Sequence, residues 1–136
     1  MNLGRNRTPD VAIDMGSANT RVWVRGEGLV ATIPTVIAIE RDGQSPKVVS
    51  IGEESRKIIG REPQDTRVFR PVRNGVVQDY RAAEQFLCRV FAQTLGKSQK
   101  RPRVLATMPV GTGGGERRAI VEVFRGAGSV DVSILS

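Results

Sequence analysis

The segment Val11-Ala12-Ile13-Asp14-Met15-Gly16-Ser17-Ala18-Asn19-Thr20, followed by Arg21-Val22-Trp23-Val24, constrains the fold of this chain more than any other stretch. A hydrophobic run breaks at a turn of glycine and small polar residues, and a second, alternating run follows. Runs of this kind on both sides of a short turn describe a β-hairpin with a buried face. The turn carries little bulk: Gly16 lets the backbone approach a neighbouring group, while Ser17 and Thr20 add hydroxyls. Backbone N–H groups in such a turn can line an anion, and the carboxylate of Asp14 can serve a metal ion or a metal-bound water. A purely structural β-turn is the other reading these residues allow.

A lone hairpin is marginally stable in water, so the remaining residues must cover it. Residues 28–33 read as a third strand closed by Pro34, residues 35–39 as a fourth, and residues 47–51 as a return strand after a turn at Asp42-Gly43. Gly52 opens a short helix through Ile59, ended by Gly60, and residues 66–71 and 75–78 read as extended around the turn Arg73-Asn74-Gly75. Asp79 is placed to cap a helix over 80–95, in which Ala83, Leu87, Val90 and Phe91 share a face and Gly96 is the stop. A strand over 103–108 ends at Pro109. A helix over roughly 114–126 sets Ile120, Val123, Phe124 and Ala127 on one side, and residues 130–135 read as a last strand. Strands followed by alternating helix and strand predict an α/β layered architecture.

Inventory narrows the chemistry. With no histidine and one cysteine in 136 residues, a zinc centre and Ser-His or Cys-His catalysis are excluded. Cys88, set in a helical pattern, is expected to be a buried thiol in a reducing compartment. No apolar run approaches the roughly 18–20 residues that cross a bilayer, and residues 1–7 lack the core of a signal peptide, so a cytoplasmic location is expected. The net charge of +7 raises the question of anionic partners. Most cations are scattered; the dense cluster is Lys97, Lys100, Arg101 and Arg103. A solvated basic surface and contact with anionic lipid are both open there. Specific nucleic-acid binding is disfavoured because no aromatic residues are interleaved with the cluster.

The string Asp14 to Thr20 resembles the first phosphate loop of the actin-like ATPase superfamily, and in its full length that of the MreB/Mbl family of bacterial actin homologues. Ile33-Pro34-Thr35-Val36-Ile37-Ala38-Ile39, Ile51-Gly52-Glu53-Glu54-Ser55-Arg56-Lys57, Arg70 to Tyr80, Met108-Pro109-Val110-Gly111 and Glu116-Arg117-Arg118-Ala119 continue the resemblance in order, over about residues 10–135. It implies an actin-like (ribonuclease H-like) α/β fold, first half only: a mixed sheet flanked by helices with a small inserted subdomain. After a polar tail at 1–9, residues 10–33 and 66–136 would form subdomain IA, and 34–65 the insertion IB.

The resemblance implies a cytoskeletal protein of ATP-dependent filaments under the inner membrane, with itself or a full-length paralogue and the wall-elongation machinery as partners. Gly16, Ser17, Ala18, Asn19 and Thr20 would meet the ATP phosphates, and Asp14 would place magnesium through water. Chains of that family are much longer, and the second phosphate loop and adenosine-binding segments have no counterpart here. Independent ATPase activity is therefore not expected, since chemistry by positioning needs all its parts. A nucleotide-independent half-actin module that caps a full-length paralogue is the alternative. One local departure stands out: Gly113-Gly114-Gly115 precede Glu116 where the family has a threonine-to-glutamate capping box.

Overall fold

The computed structural model describes residues 8–43, 45–96, 101–109 and 111–135. Its strands are β1 (Val11–Met15), β2 (Asn19–Val24), β3 (Gly28–Pro34), β4 (Ile37–Asp42), β5 (Ser45–Ile51), β6 (Thr66–Phe69), β7 (Val72–Arg73), β8 (Val76–Val77), β9 (Arg103–Thr107) and β10 (Asp131–Leu135). The helices are α1 (Glu53–Lys57), α2 (Tyr80–Thr94) and α3 (Gly114–Gly126). The expected hairpin forms: β1 runs antiparallel to β2, with Ile13 opposite Val22 and Asp14 opposite Arg21. β9 then joins the other edge of β1 in parallel, and the larger sheet has the order β10-β9-β1-β2-β3.

Alternation decides which face of that sheet is covered. Val11, Ile13 and Met15 on β1, Val22 and Val24 on β2, and Val104 and Ala106 on β9 are all buried. They belong to one apolar cluster with Phe86, Leu87, Val90, Ile120, Val123 and Phe124 from α2 and α3. Residues of the other parity, Ala12, Asp14, Leu105 and Thr107 among them, are only half-buried. The face of α2 expected from the helical period, Ala83, Leu87, Val90 and Phe91, is buried as a unit. Asp79 caps that helix, its Oδ1 accepting from the Ala82 N–H at 3.0 Å.

Cys88 departs from expectation. It lies on the solvent side of α2, because its position falls outside the period of the buried face. Partial desolvation and the nearby Glu84 carboxylate push its thiol above the ordinary range, so it stays protonated near neutrality.

The small inserted layer is the sheet β5-β4-β6 with α1. β6 pairs with β4, so Thr66–Phe69 completes this three-stranded sheet. Its Ile37 and Ile51 share the same apolar cluster as the large sheet, so the two layers have a continuous core. At α3 the glutamate half of a capping box persists: Glu116 Oε1 accepts from the Gly113 N–H at 3.0 Å, and glycine has no side chain to return the bond. Lys97, Lys100 and the tail residues 1–7 lie outside the described residues. Arg101 is exposed, and the Arg103 N–H donates to Asp10 Oδ2 at 2.9 Å. Among the described residues no helix is long and apolar enough to cross a membrane.

Candidate phosphate-loop site

The turn joining β1 to β2 comprises Gly16, Ser17 and Ala18, with Asn19 opening the second strand. The Gly16 N–H donates to the Asn19 carbonyl at 3.0 Å. A Cβ on residue 16 would stand 2.9 Å from that oxygen, closer than real side chains come, so the turn closes only around glycine. The Ala18 carbonyl accepts from the Thr35 N–H at 3.0 Å, and the Ser17 carbonyl accepts from Arg70 Nη1 at 2.6 Å.

The carbonyls of Ser17, Ala18 and Asn19 are thus all engaged by the protein. Among the described residues, no acceptor meets the N–H groups of Ser17 and Ala18. Ala18 and Asn19 are exposed and Ser17 is half-buried. With the oxygens of Ser17, Ala18 and Asn19 tied down and the N–H groups of Ser17 and Ala18 unpartnered, the turn presents donors to solvent, which is the electrostatic requirement of an anion cradle.

Ser17 plays a different part from the one its hydroxyl suggests. Its Oγ accepts from the Asn74 N–H at 2.7 Å and donates to Asn74 Oδ1 at 3.1 Å. The hydroxyl proton is therefore engaged by Asn74, while the backbone N–H of Ser17 has no acceptor among the described residues. Asn74 and Gly75 form the two-residue connection of β7 and β8, with φ of 52° and 79°, a combination that Asn-Gly adopts readily. Neither Arg70 nor Asn74 is among the site residues drawn from the sequence. The Asn-Gly signal marks a turn, but nothing in the pattern shows that it closes on a loop 57 residues earlier.

Thr20 is likewise placed differently. It is fully buried, and its Oγ1 lies 2.8 Å from Thr35 Oγ1, also fully buried. Its hydroxyl braces the base of the loop against the link between β3 and β4. Thr20→Val leaves the Thr35 hydroxyl buried without a partner and is expected to cost about 1–3 kcal/mol. Thr20→Val with Thr35→Val removes both partners at nearly constant shape and is expected to recover most of that loss. Urea unfolding of the three variants checks this; strictly additive losses would show that the hydroxyls do not interact.

Asp14 is half-buried on the open face of the sheet, with Arg21 and Thr107 beside it on the flanking strands. Among the described residues no group of three acidic, cysteine or histidine side chains could hold a metal ion. A lone carboxylate of this kind suits an ion held mainly by other ligands and reached through water. The residues present fit a phosphate group at the N–H pair of Ser17 and Ala18, and a magnesium ion only as an outer-sphere neighbour of Asp14.

Comparison with known proteins gives this geometry a context. The family model described as MreB/Mbl protein matches residues 8–136. The chain is 38% identical over 130 residues to the cell shape-determining protein MreB of Escherichia coli (strain K12), covering 93% of this chain and 38% of that protein. It is 33% identical over 124 residues to the cell shape-determining protein Mbl of Bacillus subtilis (strain 168), covering 90% and 37%. Among solved structures it superposes on MreB5 of Spiroplasma citri bound to AMPPNP with a TM-score of 0.81 at 28% identity, over 95% of this chain and 38% of that one. The ADP-bound form of the same protein gives 0.82 at 29% identity, over 96% and 39%. The chain therefore spans less than two fifths of the length of these relatives and has the fold of the first part of an actin-like MreB.

Proposed function

The chain belongs to the MreB/Mbl family of cell shape-determining proteins, and on that premise we propose that its β1–β2 turn supplies one wall of an ATP site in a cytoskeletal filament protein. Ser17 and Ala18 donate their N–H groups to phosphate oxygens, Gly16 permits the approach, and Asn19 closes the turn. Thr20 supports the loop from beneath, and Asp14 would interact through water with a magnesium ion brought by the nucleotide. The observation that carries this reading is the unpartnered N–H pair of Ser17 and Ala18 on a turn where the carbonyls of Ser17, Ala18 and Asn19 are engaged. Nucleotide-bound MreB5 structures of the same fold support it. Filament partners would be further copies or a full-length paralogue, at the inner face of the membrane beside the wall-elongation machinery.

Two N–H donors and one outer-sphere carboxylate make a weak grip. Titration of the 136-residue chain with Mg-ATP, followed by amide NMR, is expected to move the Ser17 and Ala18 resonances with a Kd of about 1 mM, near −4 kcal/mol. Gly16→Val should abolish the shifts. Silence of those amides at saturating ATP would refute the phosphate role, and micromolar affinity would refute the weak grip.

A second reading is a nucleotide-independent module that caps a full-length MreB. It is favoured by exposed apolar side chains at the two ends of the outer strand β10, Val130 just before it at 50% and Leu135 at its end at 55% exposure. Co-sedimentation with full-length filaments separates the two: incorporation along the pellet supports the first, and shortened filaments support the second.

A further inference from the structure

A groove of about 620 Å³ runs between the small sheet and α2. One wall is helical. Arg81, Gln85 and Arg89 recur every fourth residue, so they form a stripe about 12 Å long on one side of α2. The facing wall is the small sheet, which contributes Arg41 from β4 and Arg67 from β6, whereas Lys47 on β5 is paired with Glu40 on the sheet's other face.

The floor between the walls is apolar. Ile39 sits opposite Val48 and Arg67 in the sheet register, and Phe69 lies one pleat further along. The Arg67 guanidinium lies over the Phe69 ring, 4.3 Å from its centroid, and is held at the rim by that contact. Arg89 Nη2 donates to the Val48 carbonyl at 3.1 Å and ties the helix to the sheet.

Four cations, Arg41, Arg67, Arg81 and Arg89, therefore border one groove, and they are not neutralised by the protein. The two ion pairs found among the described residues, Arg25–Asp10 and Arg56–Glu53, lie elsewhere. The one carboxylate among the described residues lining the groove is Asp79, and it is engaged as the cap of α2. Two rows of unpaired cations over an apolar floor set strict terms for an occupant.

We propose that this groove docks an acidic peptide segment of a partner protein, its carboxylates pairing with the two basic rims and its apolar side chains resting on Ile39, Val48 and Phe69. A compact phosphate group would leave the apolar floor of Ile39, Val48 and Phe69 uncovered. A flat membrane cannot reach a floor recessed between two rims. Nucleic acid would need open aromatic faces, and that of Phe69 is covered by Arg67.

Fluorescence anisotropy of a fluorescein-labelled dodecapeptide alternating glutamate with leucine and phenylalanine, titrated with the whole chain, tests this. Micromolar binding is expected. Arg67→Glu with Arg81→Glu should weaken it at least about tenfold, and so should replacing the peptide's apolar residues with serine. Arg21→Glu with Arg125→Glu makes the same change in net charge at exposed positions away from the groove and should leave binding within about twofold. If the reversal variants unfold, Arg67→Gln with Arg81→Gln gives the same contrast at lower cost to the fold. Equal weakening by the remote pair, or no dependence on the apolar residues, would reduce the effect to net charge and overturn the proposal. Tighter, groove-dependent binding of hexametaphosphate, single-stranded RNA or phosphatidylglycerol vesicles would overturn it in favour of that class.

Discussion

Replacing Phe86 with alanine is expected to destabilise the chain by about 3–5 kcal/mol, a large part of the roughly 5–15 kcal/mol that holds a domain of this size together. Phe86 is completely buried in α2, and α2 touches α3, β3 and β5. It is thus among the few large side chains that hold the small layer and the large sheet in one core. Truncating it removes apolar area and leaves a cavity that strands on two sides cannot both fill. Thermal unfolding followed by circular dichroism should show the midpoint falling by on the order of 10–20 °C. Cys88→Ala, two residues along the same helix but exposed, should change stability by less than about 0.5 kcal/mol. A loss below 1 kcal/mol for Phe86→Ala would show that the two layers do not depend on a shared core.

Those two residues also show what was legible in the sequence. The order of strands and helices could be read from the chain because period-two and helical alternation, glycine and proline punctuation, and the Asp79 cap all point the same way along residues 10–135. Cys88 could not be placed by composition. A free cysteine is usually buried, but the helical period, not residue type, decides which side of α2 a position occupies. The membership of β6 was hidden for a related reason. Thr66–Phe69 reads as an extended segment in either layer, and only pairing with β4 assigns it to the small sheet.

The sequence points to the turn from Asp14 to Thr20 but carries no sign of what supports it. Arg70 and Asn74 reach Ser17 across more than fifty residues of chain, a separation at which local pattern carries no signal. Their effect is chemical as well as structural. They engage the carbonyl and hydroxyl of Ser17, while its backbone N–H has no acceptor among the described residues. The basic groove was illegible for the same reason. Its cations come from β4, β6 and α2, and in the sequence they are part of a general scatter of positive charge.

Gly52→Ala is expected to be the most damaging single-methyl change in the chain. Gly52 begins the glycine-glutamate-glutamate start of α1 with φ 71° and ψ −136°, a backbone conformation essentially reserved for glycine and costing about 1–3 kcal/mol for another residue. It is also pinned. Its N–H donates to the Val36 carbonyl at 2.9 Å, so the strain cannot be relieved by letting the turn drift outward. A Cβ there would lie 2.8 Å from Ile33 Cγ2, adding an overpacking cost of about 1–3 kcal/mol. Gly60, with φ 85° and open space around it, supplies the comparison: Gly60→Ala carries the backbone strain alone and should cost roughly half as much. The two contributions at Gly52 can be separated by a double-mutant cycle in denaturant. Ile33→Ala removes the colliding methyl, so it should cost distinctly less in the Gly52→Ala background than in the parent chain. A coupling energy near zero would leave backbone strain as the whole effect, and would mean that β3 yields to a side chain at residue 52 without loss.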